Sequence, residues 1–171
     1  NSLYKVDLAT VGFGQGISVT AIELMNAIST IANNGKRMEP HVVSAIETQN
    51  GRVRIPPKVL GSPISPETAK VMTEIMVNAV NKGEASWTRL KGYRIAGKTG
   101  TASIPIQGRY DPDKTITSFV GFAPADDPKF VMLVVLNKPT TSIYGSETAA
   151  PVFFSIAKDL LNYYKIPPDG E

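Results

Sequence analysis

The sequence contains no cysteine, one histidine and one tryptophan in 171 residues. Without thiols there is no disulfide, no thiolate metal site and no cysteine nucleophile. That composition suits an oxidising compartment without requiring one. Because His41 stands alone, a Ser-His-Asp triad is a poor candidate; His41 reads as a residue opening a strand. Nothing in the chain calls for a metal or a cofactor. Long apolar runs are also missing. The longest, Phe130 to Leu136, has seven residues, where a membrane span needs roughly 18 or more. No signal-peptide pattern opens the chain, so the residues as given are expected to be soluble. Nor is there a strong charge of one sign. Eighteen Lys and Arg against fifteen Asp and Glu give +3. The basic residues are scattered singly, with only Lys36/Arg37 and Arg52/Arg54 close together, which argues against nucleic-acid binding.

What the chain does have is a core. Hydrophobic residues make up 42% and charged residues 19%, and a chain of this length buries about 70% of its unfolded surface. Thr20 and Glu23 form a capping box ahead of Ile22, Met25, Ala27, Ile28, Ile31 and Ala32, and Asn33-Asn34-Gly35 stops that helix. His41 to Thr48 reads as a strand, turning at Asn50-Gly51 into Arg52 to Ile55. Pro56, Pro57 and Pro63 mark a loop. Ser65 and Pro66 then open a second helix, which carries Val71, Met72, Ile75, Met76, Ala79 and Val80 on one face and ends near Gly83. Three strands follow, Tyr93 to Ala102, Thr115 to Ala123 and Lys129 to Asn137. A long polar loop, Pro105 to Lys114, joins the first two, and Asp126-Asp127-Pro128 turns the last two into a hairpin. A helix from Glu147 to Tyr164 closes the chain, with Val152, Phe153, Ile156, Ala157, Leu160 and Leu161 apolar. The expected class is α+β, an antiparallel sheet flanked by helices.

Two glycine patterns mislead. Gly92 to Thr99 fits the phosphate-loop spacing G-x-x-x-x-G-K-T, an alternative that would make the chain a nucleotide-binding protein. It needs a buried strand before the loop and a helix beginning at the lysine. Ser86 to Lys91 is polar, however, and Gly100 and Pro105 oppose a helix. The glycines at 12, 14 and 16 miss the dinucleotide fingerprint, whose third glycine would stand at Ile17.

Read as a strand, Gly97-Lys98-Thr99-Gly100-Thr101 has different chemistry. Alternate side chains share a face, so Thr99 and Thr101 point the same way. Glycine weakens a strand unless something must approach its backbone. An acyl-transfer site uses such an edge: a backbone N–H for an oxyanion, hydroxyls for a carboxylate and a fixed positive charge.

The Lys98-Thr99-Gly100 triad is one signature of penicillin-binding proteins and serine β-lactamases. Its setting, Arg94 to Ala102, resembles the high-molecular-weight class B transpeptidases. So do Phe13 to Thr20, Thr30 to Gly35, Ser118 to Asp126 and Ala149 to Phe153, in the family's order. The closing segments are most similar to the division and sporulation type. The resemblance implies a D,D-transpeptidase that cross-links peptidoglycan stem peptides ending in D-Ala-D-Ala and is acylated by β-lactams. It implies a place on the outer face of the bacterial cytoplasmic membrane, among cell-wall synthesis or division proteins. Lys98 would supply charge, the Thr101 N–H half of the oxyanion hole, and the Thr99 and Thr101 hydroxyls a carboxylate site. Gly97 and Gly100 would let the ligand lie along the strand, while Gln15 and Gly16 would be structural.

The family's S-x-x-K nucleophile motif and S-x-N triad belong upstream of these segments. No S-x-N occurs here. Ser2 to Lys5 and Ser155 to Lys158 match S-x-x-K, but twelve serines and twelve lysines make a chance match expected, and neither stands in the family's order. Residues 1–171 are therefore expected to be the C-terminal half of a transpeptidase domain, lacking the nucleophile, two sheet strands and a membrane anchor, and inactive alone. A β-lactam sensor domain of a signalling receptor and a stand-alone binding module remain open as alternatives.

Overall fold

The computed structural model describes residues 9–12, 14, 17–106 and 109–169. Ser2 to Lys5, Phe13, Gln15 and Gly16 lie outside them. The elements run α1 (Ala21–Ala32), β1 (Arg37–Met38), β2 (Ala45–Thr48), β3 (Gly51–Arg54), β4 (Val59–Gly61), α2 (Pro66–Lys82), a 3-10 turn (Ser86–Thr88), β5 (Ala96–Ile106), β6 (Arg109–Ala123), β7 (Phe130–Asn137) and α3 (Ala149–Tyr163). No helix among the described residues is long and apolar enough to cross a membrane.

Local chemistry sets the boundaries of α1 and α2. The Thr20 hydroxyl accepts the Glu23 N–H, and the Glu23 carboxylate accepts the Thr20 N–H at 2.8 Å, which satisfies donors at the start of α1. Asn34 and Gly35 then turn left-handed, and the Gly35 N–H returns to the Thr30 carbonyl. Ser65 caps α2, with Pro66 at its first position.

β5, β6 and β7 form an antiparallel sheet in that order, with Gly100 opposite Ser118 and Thr101 opposite Thr117. Cores lie on both faces, as alternation along β6 requires. Phe119 packs with Phe153 and Phe154 of α3, at ring-centre distances of 4.5 and 5.2 Å, beside Val80, Ala85 and Ile95. Phe122 and Ala96 face the other way, onto Met76 and Val77 of α2 with Ile28 and Ile31 of α1. The α+β class and the antiparallel sheet with flanking helices match the expectation from sequence.

Several details depart from it. The expected polar loop from Pro105 to Lys114 is mostly the tip of a long hairpin, with Pro105 opposite Tyr110 and Ile106 opposite Arg109. A polar stretch can still pair its backbone, because the ladder uses main-chain groups. Strand β5 starts at Ala96, not Tyr93, and β2 starts at Ala45, leaving His41 exposed outside any strand, its Nδ1 3.2 Å from the Glu39 carbonyl. The proline-marked stretch contains β4, which pairs with β1. On α2, Val71 and Ile75 are exposed while Thr73 and Val77 are buried; on α3, Val152 and Ile156 are exposed and Phe154 is buried. Both helices carry more apolar positions than the described sheet covers.

Candidate active site

β5 is one edge of the three-stranded sheet, so the groups on its outer side have no strand partner among the described residues. The Lys98 ammonium donates to the Thr99 carbonyl at 3.0 Å and to the Thr99 hydroxyl at 3.3 Å. The Thr99 carbonyl therefore points off the open edge. In an antiparallel pair, residues alternate between exchanging both backbone hydrogen bonds with the residue opposite and exchanging neither. If Thr99 faces outward, Gly100 faces Ser118 and Thr101 faces outward again. The Thr101 N–H is thus aimed away from β6, on the same edge as the Lys98 ammonium.

The sheet brings the five residues singled out from sequence together: Gly97, Lys98, Thr99, Gly100 and Thr101 are consecutive in β5. Lys98 and Thr101 are exposed, Thr99 and Gly100 half-buried and Gly97 buried. A cavity of about 220 Å³ opens between Gly83–Ala85 at the end of α2 and Gly97–Thr99. Two larger hollows, near 550 and 570 Å³, border α1 and α2 and do not reach Lys98. Of these three, the cavity beside Lys98 is the one that adjoins the Gly97–Thr99 segment.

Both glycines have a packing reason. A Cβ on Gly97 would stand 2.6 Å from the Phe119 ring, and one on Gly100 would stand 2.4 Å from the Ser118 hydroxyl. Upstream, Arg94 donates to Asp126 at 2.8 Å and to Glu74 at 2.7 Å, tying the approach to β5 to α2 and to the β6–β7 turn. Those hydrogen bonds, with Asp126 foremost, hold the guanidinium pKa above its ordinary value.

Sequence reasoning missed the segment that braces this edge. Between β7 and α3 the chain crosses the α3 face of the sheet as a strap. The Gly145 N–H donates to the Thr101 hydroxyl at 3.0 Å, and the Thr115 hydroxyl donates to the Ile143 carbonyl at 2.8 Å. The hydroxyls of Thr148 and Thr117 meet at 2.9 Å, and Thr148 also donates to the Tyr144 carbonyl. The available signal was the pair Thr115 and Thr117, which place hydroxyls two apart on a buried face.

Residues 1–161 match the family model for the penicillin binding protein transpeptidase domain. The chain belongs to that family. It is 36% identical to Stage V sporulation protein D of Bacillus subtilis, over 95% of this chain and 26% of that protein. It is 34% identical to peptidoglycan D,D-transpeptidase FtsI of Escherichia coli, over 96% of this chain and 27% of that one. The chain thus spans about a quarter of the length of these curated relatives. Among solved structures, the transpeptidase domain of Burkholderia pseudomallei penicillin-binding protein 3 superposes with a TM-score of 0.83 at 30% identity, covering 99% of this chain and 50% of that one. Penicillin-binding protein 3 of Mycobacterium tuberculosis, complexed with ampicillin, gives 0.82 at 29% identity, covering 95% and 39%.

Family membership leaves the phosphate-loop alternative without support. Lys98 and Thr99 stand within a strand, where a phosphate loop would have its lysine opening a helix. Ser155 and Lys158, the S-x-x-K match inside the described residues, are both exposed on α3.

Proposed function

We propose that residues 1–171 form the C-terminal half of a peptidoglycan D,D-transpeptidase domain and that the open edge of β5 is one wall of its serine acyl-transfer site. The observation that carries this reading is that the Thr101 N–H and the Lys98 ammonium lie on the same open edge of β5, in a chain of this family. The nucleophilic serine and its base come from sequence outside this chain. The serine attacks the penultimate D-Ala carbonyl of a stem peptide, and the carbonyl oxygen becomes an oxyanion. The Thr101 N–H and the N–H of the serine donate to it, and Lys98 places positive charge nearby. The tetrahedral intermediate expels terminal D-Ala, and an amine of a second stem peptide resolves the acyl-enzyme. β-Lactams acylate the same serine. Thr99 and Thr101 hold the ligand's carboxylate, and Gly97 and Gly100 keep the edge free of side-chain bulk.

Two features support a missing half that packs here. β7 offers its other edge to further strands, with Val135 exposed. Val152 and Ile156 of α3 and Val71 and Ile75 of α2 also present uncovered apolar surface. The complete protein acts at the cell envelope, on the outer face of the cytoplasmic membrane, held by an anchor in the remaining sequence and working with division or sporulation partners.

The role of Lys98 is tested in the complete protein. Charge beside a developing oxyanion stabilises the transition state more than the ground state. Lys98→Ala should lower second-order acylation by a fluorescent penicillin at least about tenfold. An unchanged rate contradicts the assignment.

A further inference from the structure

Gly145 lies 44 positions from Thr101 in sequence, yet its N–H donates to the Thr101 hydroxyl at 3.0 Å. A hydroxyl has one proton to donate and two lone pairs to accept with. With Gly145 occupying a lone pair, the Thr101 proton is left for an acceptor on the open edge. An anionic carboxylate is the acceptor that a lone O–H and a nearby ammonium jointly favour.

Gly145 also touches the backbone of β5. A Cβ there would stand 2.4 Å from the Gly100 carbonyl oxygen and 2.9 Å from that of Ser118. The Gly100 carbonyl and the Thr101 N–H belong to one planar peptide unit. Whatever presses on the carbonyl therefore turns the N–H as well. Only glycine fits at this contact without displacing that peptide. The strap behind Gly145 is fixed by the buried Thr148–Thr117 pair and by Thr115 on Ile143.

We infer that Gly145 is a positioning residue that sets both ligand-facing groups of Thr101: it turns the hydroxyl into a donor for the ligand carboxylate and holds the Gly100–Thr101 peptide with its N–H toward the edge. The inference rests on the proposed role of Thr101.

The test uses the complete protein and two probes, benzylpenicillin and its methyl ester, whose carboxylate is masked. The unsubstituted protein should be acylated faster by the free acid. Gly145→Ala, checked for folding by thermal melting, should slow the free acid at least about tenfold and shrink the acid-over-ester preference with it. A folded Gly145→Ala protein that keeps the preference, with both rates unchanged or both equally reduced, overturns the inference while leaving the Thr101 reading intact. Absence of any preference in the unsubstituted protein overturns both. Should Gly145→Ala not fold, Thr148→Val and Thr148→Ser decide. Valine removes the hydroxyl anchoring the strap and should diminish the preference, and serine should restore it. Full preference in the valine variant overturns the inference.

Discussion

The hydroxyls of Thr148 and Thr117 meet at 2.9 Å in a buried seam between the strap and β6, joining the start of α3 to the strand beside the candidate site. Thr117 is wholly inaccessible, so its hydroxyl has no water to turn to. Removing one partner of a buried pair leaves the other unsatisfied, at a cost of about 1–3 kcal/mol. Thr148→Val keeps the shape and should lower unfolding free energy by about that amount, measured by urea denaturation of the complete protein. Thr148→Ser keeps the hydroxyl and should lose less. A loss in the serine variant with none in the valine variant would mean that the methyl, not the hydrogen bond, matters.

Acid should weaken the entry to α1. The Thr20 backbone N–H, and secondarily its hydroxyl, hold the Glu23 carboxyl below its ordinary value of 4.5. A carboxyl depressed in the folded state adds stability that is complete above its unfolded value and is lost as pH falls through the folded one. A side-chain NMR titration should place the Glu23 midpoint below 4.5. Glu23→Gln should flatten the acid limb of stability between about pH 5 and about pH 3. A Glu23 midpoint at or above the ordinary value would contradict the capping geometry.

Backbone and side chain of Thr101 are assigned separate work, and substitution can separate them. Thr101→Ala keeps the N–H and loses the hydroxyl, so carboxylate-bearing penicillins should bind less well while acylation persists. Thr101→Pro has no N–H to offer, and acylation should vanish. Stopped-flow acylation of the complete protein distinguishes these outcomes. Similar, mild effects in both variants would remove Thr101 from the oxyanion site.

The last strand, the capped helices and the β6–β7 hairpin were legible in sequence because each rests on local signals. Ser65-Pro66 opens α2, Thr20 with Glu23 opens α1, and Val131 to Leu136 can hardly be anything but strand. The site strand was legible because Lys98-Thr99-Gly100 is contiguous. The strap was not, since Gly145 and Thr101 meet only through tertiary structure, and a glycine in a polar loop has no period to read. The helix faces were legible only in part. Val71, Ile75, Val152 and Ile156 are apolar at helical spacing yet face outward, because periodicity shows which residues seek cover but not what covers them. The tip of the β5–β6 hairpin reads as loop because it is polar, although pairing there depends on backbone groups.

The most direct measurement of the account is the site of covalent labelling. The complete protein would be incubated with a penicillin, digested, and mapped by mass spectrometry. The expected result is one stoichiometric adduct, on a serine outside residues 1–171, at a rate that falls when Lys98 is replaced. A stoichiometric adduct on Ser155, Ser2 or any other residue of this chain would contradict the reading of β5 as a wall that serves a nucleophile carried elsewhere.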